Sequence, residues 1–506
     1  MARKTKPLTL PISLALSALS GVLLTLSMPG FDVPWVGWIA LVPVLIVLLT
    51  AESRQVYPLA LPFGLIFSIG VHNWYPHIFP PALGYFLIVA VGSFYAGMLQ
   101  LGVWLTHRLP KSLKLFALPV AWTAVEFLKF IAPVINDWWF VLLAKSQWQF
   151  PPALQILSIT GFPGLSFLVM LVNVVLAFGV LAVVSGQYSV FSKQFSVEDK
   201  LNTDYRLLIT VLTAVALILI WGARSMGDAP AETFTIAALT DMVNQDPAIQ
   251  AKSEFSGEDV GYVADSAEMS QAIFDVDADL TRQVDADFYV WSENEFANAD
   301  DPVFAAQLQA LAAEMDAAIV TDMVWNAVTG MHDTAVLTTS SGENGRRAKI
   351  NITSGEAEHG FAPGPNEFPV FDTPQGKVGI GVCWDVHRLW IVRELARSGA
   401  KIVLLPMDND FGGTATFPPF HGSDGVFRAV ENRVAMGLGT VNGLSLVVDP
   451  YGRIIAQAPI NQRSIIVGET FTAPGQTLYT RWGDWFGWLM VAALVVLVSV
   501  AIRRKG

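Results

Sequence analysis

The chain has 506 residues, of which 53% are hydrophobic and 15% are charged. This balance is too apolar for an ordinary soluble protein of that size, and it indicates that part of the chain lies in a membrane. The formal net charge is -12 and the sequence offers no Lys/Arg-rich face, so a nucleic acid is not an expected partner.

Eight apolar stretches are long enough, or nearly long enough, to cross a bilayer as helices. A spanning helix needs about 20 mostly apolar residues, because its backbone polar groups must be satisfied within the segment. The first stretch could be a signal peptide, but it has no clear cleavage site and further spans follow it, so we expect a retained helix. The predicted spans are residues 8–28, 35–51, 57–73, 82–105, 113–131, 159–184, 207–223 and 485–502.

Basic residues in the short loops predict the orientation of these spans. Lys and Arg near the ends of spans favour the cytoplasmic side. With eight spans, all four basic clusters fall on that side, which places both termini in the cytoplasm and the segment 225–481 outside it. The clusters are Arg3, Lys4 and Lys6; Arg108, Lys111 and Lys114; Lys193, Lys200 and Arg206; and Arg503, Arg504 and Lys505.

Short β-branched runs alternate with helical patterns in the polar segment. Such alternation predicts a layered α/β domain of about 250 residues. We therefore divide the chain into helices one to seven (1–224), an extracytoplasmic domain (225–481) and helix eight (482–506). The strand-like runs are 233–239, 288–291, 318–321, 378–382, 402–405 and 444–448, and the helical patterns are 301–315, 387–398 and 425–436.

The single cysteine, Cys383, follows a strand-like run and precedes a helical pattern. A thiolate at such a junction is exposed by the turn and can be stabilised by the helix N-terminus and by nearby cations. The alternative for a lone cysteine is a buried, inert side chain. Two other stretches of the domain bear on this choice, one carrying Glu293 at a strand end and one carrying Lys349 and Glu356.

The order Glu293, Lys349, Cys383 resembles that of the nitrilase superfamily, whose fold is a four-layer αββα sandwich. A domain of this kind between membrane helices resembles the apolipoprotein N-acyltransferases, and the likeness extends along nearly the whole chain. Two departures concern Ser292, where the family usually has proline, and the stretch from Lys349 to Cys383, which is shorter than usual. The further matching stretches are 38–49, 146–173, 409–412, 427–433 and 442–452.

The resemblance implies roles for three residues. Cys383 would be the nucleophile, Glu293 the general base and later proton donor, and Lys349 the stabiliser of the tetrahedral intermediate and of the thiolate. Glu356 would orient the lysine or assist proton transfer. Glu295 competes with Glu293, but two residues along an extended segment it is expected to point to the other side.

Four more residues are expected to contact the substrate, namely Trp384, Asp385, Asn409 and Phe411. No metal site is predicted, because the seven histidines are scattered and none pairs with a carboxylate or cysteine at ligand spacing. No phosphate-binding glycine loop is present either. The expected chemistry is covalent catalysis without a cofactor.

The resemblance implies a two-step transfer in the bacterial cytoplasmic (inner) membrane by a monomer. An acyl chain would pass from a phospholipid to Cys383 as a thioester, and then to the α-amine of a diacylglyceryl-cysteine at a lipoprotein N-terminus. One alternative is a membrane-anchored amidase or nitrilase that delivers the acyl group to water. The other is a non-enzymatic receptor or scaffold, against which the joint retention of Glu293, Lys349 and Cys383 argues.

Overall fold

The computed structural model describes residues 9–133, 135, 138–184, 198–227, 230–253, 264–409 and 413–504, with the backbone alone for 198–207. The chain forms two compact units. One is helical and comprises Met1–Met226 and Asp484–Gly506, and the other is the sheet domain Gly227–Gly483.

Apolar helices build the helical unit. They begin at prolines in several places, where the missing N–H and fixed φ of proline suit the first turn. The helices are α1 (Leu10–Leu26), α2 (Pro34–Gly37), α3 (Val42–Thr50), α4 (Val56–Val71), α5 (Tyr75–Ile78), α6 (Pro81–Arg108), α7 (Lys114–Ile131), α8 (Pro151–Leu154), α9 (Leu157–Thr160), α10 (Phe162–Val184), α11 (Glu198–Ser225) and a final helix, Trp485–Arg503.

Four of the eight predicted spans fall on helices that are long and apolar enough to cross a membrane. The other four do not meet this criterion. Three of them fall on helices that are too short, namely α1, α2 with α3, and α4, and the fourth falls on α7, which carries three charged residues. The helical N-terminal part is therefore confirmed, whereas the count of eight spans stays a prediction. The four qualifying segments are Pro81–Arg108, Phe162–Val184, Leu208–Ser225 and Trp485–Arg503.

Small residues let α4 and α6 approach closely. A Cβ atom at Gly64 would lie 2.0 Å from the carbonyl oxygen of Gly92, so a larger residue does not fit there. Close backbone approach at small residues is typical of helix packing in membranes, where dispersion contacts replace the hydrophobic effect.

A twelve-stranded sheet forms the second unit, and its pairing divides it into two halves. The order is β5-β4-β3-β2-β1 with β12 along the free side of β1, and β6-β7-β8-β9-β10-β11. Among the described residues, the halves are joined by one pair, Thr240 with Thr440. The strands are β1 (Phe234–Thr240), β2 (Phe288–Val290), β3 (Ala318–Ala327), β4 (Gly330–Thr339), β5 (Gly342–Ala348), β6 (Phe371–Thr373), β7 (Gly376–Ile380), β8 (Ile402–Met407), β9 (Ala435–Thr440), β10 (Leu446–Val448), β11 (Ile454–Gln457) and β12 (Ser464–Thr470).

The two halves face each other through their inner side chains. A Cβ atom at Gly437 of β9 would lie 2.7 Å from the side chain of Ile236 in β1 and 3.2 Å from that of Val290 in β2. The residues that alternate with these point outward, because successive side chains of a strand lie on opposite faces.

Helices cover the outer faces. On the first half, Leu239 and Tyr289 belong to one apolar core with the helices that follow β1 and β2. On the second half, a Cβ at Gly379 of β7 would meet Leu395, and one at Gly425 would meet Leu438 of β9. The predicted α/β domain is thus confirmed. Its helices are α12 (Pro247–Gln250), α13 (Ala267–Thr281), α14 (Pro302–Met315), α15 (Ser354–Glu358), α16 (Leu389–Arg397), α17 (Phe417–Asn432) and α18 (Leu478–Trp482).

Candidate active site

The carboxyl ends of strands from both halves meet at one buried point. Glu293 follows β2, Lys349 follows β5 and Cys383 follows β7. The N–H of Glu293 donates to the carbonyl oxygen of Met407, the last residue of β8, at 3.2 Å. Residues that are distant in sequence, such as Glu293 and Lys349, thus lie side by side because parallel strands end at the same edge.

Lys349 is completely buried and is surrounded by carboxylates. Its Nζ lies 2.5 Å from Glu293 Oε1 and 2.9 Å from Asp333 Oδ2, and it also contacts Glu356 Oε1. An ammonium group has three N–H donors, so each can serve one carboxylate. Burial lowers the pKa of Lys349, but these carboxylates outweigh burial and raise it well above its usual value. The lysine is therefore charged at neutral pH.

The carboxylate of Glu293 is held at both oxygens. Oε1 accepts from Lys349, and Oε2 accepts from the N–H of Asp408 at 2.7 Å. Burial raises the pKa of this carboxyl group well above its usual value, the lysine opposes that shift, and the nearby acids add to it. A carboxyl group whose pKa is raised towards the working pH is suited to accept and return a proton.

Cys383 begins a 3-10 helix, Cys383–His387, with a φ of 39°. A left-handed backbone is strained for a residue with a Cβ, and such strain is found at functional sites. The Sγ donates to the carbonyl oxygen of Asp408 at 3.6 Å. Burial raises the pKa of the thiol, Glu293 raises it further, and Lys349 lowers it. The resting group is thus a thiol that needs a base before it can attack.

Glu356 connects the lysine to a short helix. One carboxylate oxygen contacts Lys349, and the other accepts from the N–H of Thr353 at 2.7 Å. The Thr353 hydroxyl in turn accepts from the N–H of Glu356 at 3.3 Å. This reciprocal pair is a capping box at the start of α15, which fixes the position of the carboxylate.

Glu295 lies on the same side as Glu293, contrary to the prediction. The chain bends at Glu293, and Glu295 has a φ of 37°, which turns the chain back. Carboxylate oxygens of Glu293, Glu295 and Asp333 lie within 4.8 Å of one another, a spacing that metal sites also use. The ammonium of Lys349 contacts two of the three, so a lysine already supplies the positive charge there.

Asp385 is an internal anchor. Its Oδ2 accepts from Arg347 at 2.7 Å, and its Oδ1 accepts from the N–H groups of Ile350 and Asn351 at 3.1 and 3.0 Å. The side chain is fully buried. Asp385 therefore ties the segment after β5 to the turn at Cys383, and neither oxygen is presented to a substrate as the sequence had predicted.

Two of the other predicted substrate contacts, Trp384 and Asn409, lie beside His421. Trp384 packs on His387 and His421, with ring centroids 4.2 and 5.3 Å away, and is 7% exposed. Asn409 is buried, and its Oδ1 bonds to Nδ1 of the same His421. Phe411 lies outside the described residues. The structure thus brings Trp384 and Asn409 together next to the nucleophile.

Two family models match the chain, one within the helical unit and one within the sheet domain. The apolipoprotein N-acyltransferase N-terminal domain matches residues 20–175, and the carbon-nitrogen hydrolase matches residues 248–470. The apolipoprotein N-acyltransferase of Geobacter metallireducens is 26% identical over 97% of this chain and 95% of the relative. The chain belongs to the apolipoprotein N-acyltransferase family.

Further members of the apolipoprotein N-acyltransferase family match shorter regions. Those of Nostoc sp. and Thermotoga maritima are 32% and 29% identical over 26% and 28% of this chain, and over 26% and 29% of the relatives. An amidase structure from Nesterenkonia sp. covers 48% of this chain and 93% of its own, with 19% identity and a TM-score of 0.38. The predicted family is confirmed, and with it a membrane-bound enzyme of the carbon-nitrogen hydrolase superfamily.

The sequence analysis did not identify Asp322 and Asp333 as site residues. They lie on the adjacent strands β3 and β4, and Asp333 contacts Lys349. The backbone N–H of Lys349 donates to the carbonyl oxygen of Asp333 at 2.8 Å, in addition to the side-chain contact. A signal was present for Asp322, which interrupts the apolar run of the buried strand β3, whereas Asp333 lies between His332 and Thr334 in β4. Charged residues are almost never fully buried without a partner.

Proposed function

We propose that this apolipoprotein N-acyltransferase moves an acyl chain from a phospholipid to Cys383, and then to the α-amine of a diacylglyceryl-cysteine at a lipoprotein N-terminus. One observation carries the proposal. Glu293 and Lys349 are in contact at 2.5 Å beside the only cysteine, in a chain that matches an N-acyltransferase over 97% of its length.

In the first step Glu293 takes the proton of the Cys383 thiol, and the thiolate attacks the ester carbonyl carbon of the phospholipid. The carbonyl oxygen becomes an oxyanion, which the Lys349 ammonium stabilises. Protonation of Glu293 removes one of the three charges that hold the ammonium, so a donor becomes available as the oxyanion forms. The C–O bond then breaks, and Glu293 returns the proton to the leaving lysophospholipid oxygen.

In the second step the α-amine of the acceptor attacks the thioester carbonyl. Glu293 accepts the amine proton, Lys349 again stabilises the oxyanion, and the C–S bond breaks. Protonation of the departing sulfur by Glu293 restores the resting thiol. The buried site supports this reading, because exclusion of water protects a thioester from hydrolysis.

The proposal includes the setting of the site. We place the enzyme in the bacterial inner membrane as a monomer with eight spans, both termini in the cytoplasm and the domain outside it. The domain would be the superfamily's αββα sandwich, which the helices on both outer faces support. Positioning residues are Glu356 and Asp385, and the predicted contacts of Trp384, Asn409 and Phe411 with substrate remain part of the proposal.

The intact mass of the purified full chain tests this mechanism directly. The chain in detergent is incubated with phospholipid alone and compared with Cys383→Ser. We expect a mass increase of one acyl chain that is lost on treatment with neutral hydroxylamine and is absent from the variant. Addition of a diacylglyceryl-cysteine peptide should then discharge the adduct and yield the N-acylated peptide.

Two outcomes would overturn the proposal. An adduct that survives in Cys383→Ser would place the acyl group elsewhere. No adduct with several phospholipids, together with turnover of small amides, would favour the amidase alternative.

A further inference from the structure

Buried carboxyl groups outnumber cations around Lys349. Each of five acidic residues is at most 5% exposed, and among the described residues Lys349 is the cation that pairs with them. The nearest basic residue along the strand, Arg347, is paired with Asp385 instead. Five buried charges of one sign beside one ammonium cannot all be ionised. The acidic residues are Glu293, Glu295, Asp322, Asp333 and Glu356.

Three of these residues form a chain of contacts that ends on the lysine. The N–H of Glu295 donates to Asp322 Oδ2 at 3.1 Å. In the register of β3 and β4, Asp322 lies opposite Ala335 and Asp333 lies opposite Val324, so the two side chains are diagonal neighbours on one face of the sheet. Asp333 Oδ2 lies 2.9 Å from Lys349 Nζ. Two carboxyl groups can form a hydrogen bond only if one of them carries a proton.

The proton belongs on Asp322. Burial, followed by the charge of Asp333, raises the pKa of Asp322 well above its usual value. Asp333, in contrast, is in direct contact with the ammonium of Lys349. An Asp322 that carries the proton can donate to its neighbour Asp333, while Asp333 Oδ2 contacts Lys349.

We propose that Asp333 and Asp322 are positioning residues of the acylation step: Asp333 holds the Lys349 ammonium in place beside Cys383, and the protonated Asp322 orients Asp333. The inference rests on the proposed function. It adds that Lys349 needs a carboxylate that takes no part in proton transfer, because Glu293 loses its charge during the reaction whereas Asp333 keeps its own.

A burst assay with p-nitrophenyl butyrate tests this role without a lipid substrate. The thiolate of Cys383 attacks the ester, p-nitrophenolate leaves, and the burst amplitude counts butyryl thioesters on the sole cysteine. The ammonium is faced by Glu293, Asp333, Glu356 and Cys383, so loss of the Asp333 charge should let the lysine lose its proton at lower pH. We expect Asp333→Asn to move the alkaline limit of the burst rate down by about one pH unit or more.

The variants of Asp322 separate a proton-bearing donor from a charged group. Asp322→Asn keeps an N–H for Asp333 and an oxygen for Glu295, and the burst rate should fall by no more than about threefold. Asp322→Leu removes both and should cost about tenfold or more. The exposed carboxylate of Glu314, paired with Arg282 at 2.9 Å, gives the control Glu314→Gln, which should behave as wild type.

Folding is checked by the thermal midpoint of each variant in the same detergent. An Asp333→Asn profile that coincides with that of wild type would overturn the proposal. So would an Asp322→Asn variant that is as impaired as Asp322→Leu while both remain folded, since Asp322 would then act as a charge. If the burst profile of Asp333→Asn shifts as expected but the wild-type enzyme transfers no acyl chain from phospholipid, only the proposed function is refuted.

Discussion

Replacing Lys349 with methionine should leave the acidic residues around it without a counter-charge. Removal of one partner from a buried ion pair costs about 3–5 kcal/mol. In a domain of this size each kcal/mol moves the thermal midpoint by about 2–4 °C, so we expect a fall of about 10 °C near pH 7.5. Acylation of Cys383 should fall by about 10²–10³, the usual cost of losing an oxyanion donor.

The loss of stability should depend on pH. Lys349 lowers the pKa of Glu293, so its removal lets burial raise that pKa further. A carboxyl group whose pKa is higher in the folded than in the unfolded chain binds more protons when folded. Its contribution to stability therefore decreases as pH rises between the two values. The gap between Lys349→Met and wild type should narrow as pH falls from about 7.5 to about 5.

Lys401→Met provides the matched control. The Nζ of Lys401 donates to the carbonyl oxygens of Ala473 and Gly475 at 3.1 and 2.9 Å, and within the described ranges no carboxylate pairs with it. Its loss should lower the midpoint equally at both pH values. Differential scanning fluorimetry of the purified full chain measures both variants. A deficit of Lys349→Met that is the same at both pH values would refute the argument that its carboxylate partners take up protons.

Three further predictions concern the residues around the nucleophile. Glu356→Gln should slow thioester formation by about tenfold, because a neutral amide interacts with the Lys349 ammonium less strongly than a carboxylate does. Glu358→Gln, at an exposed neighbour, should leave the rate unchanged, and burst kinetics measure both variants. Asp385→Ala should destabilise the domain by about 3 kcal/mol, because it strands a buried guanidinium, and a thermal midpoint equal to that of wild type would contradict this. Glu293→Gln should abolish acyl transfer. It should nevertheless speed alkylation of Cys383 by iodoacetamide about tenfold near pH 7, because the Glu293 carboxylate raises the pKa of the thiol. Intact mass follows the alkylation, and a slower reaction than in wild type would contradict this electrostatic account.

The apolar and β-branched patterns predicted the elements whose burial follows from their own sequence. The run 288–291 is β2, the run 402–405 lies in β8, and the helical pattern 301–315 is α14. In contrast, β5 was missed, since its sequence Gly-Glu-Asn-Gly-Arg-Arg-Ala is polar and only its pairing with β4 makes it a strand. Strand preference depends on neighbours in space as much as on the residues themselves.

The site was predictable where the family order supplied the residues, and it was not where the backbone departs from regular geometry. Glu293, Lys349, Glu356 and Cys383 come together as the resemblance implies, although their roles stay a prediction. Glu295 could not be placed, because its left-handed φ reverses the alternation expected of an extended segment. The contact of Asp333 with Lys349 depends on strand register, which a single sequence does not reveal.

The capping box of α15 couples the stability of this short helix to the interaction between Glu356 and Lys349. The same carboxylate of Glu356 closes the first turn of the helix and holds Lys349. A ligand that strengthens the contact between Lys349 and Glu356 must stabilise the helix against local opening by an equal free energy. A ligand that draws Lys349 away from Glu356 must destabilise the helix in the same way. Hydrogen exchange at the amides of Thr353 and Glu356 would therefore report occupancy of the site without any chemical step.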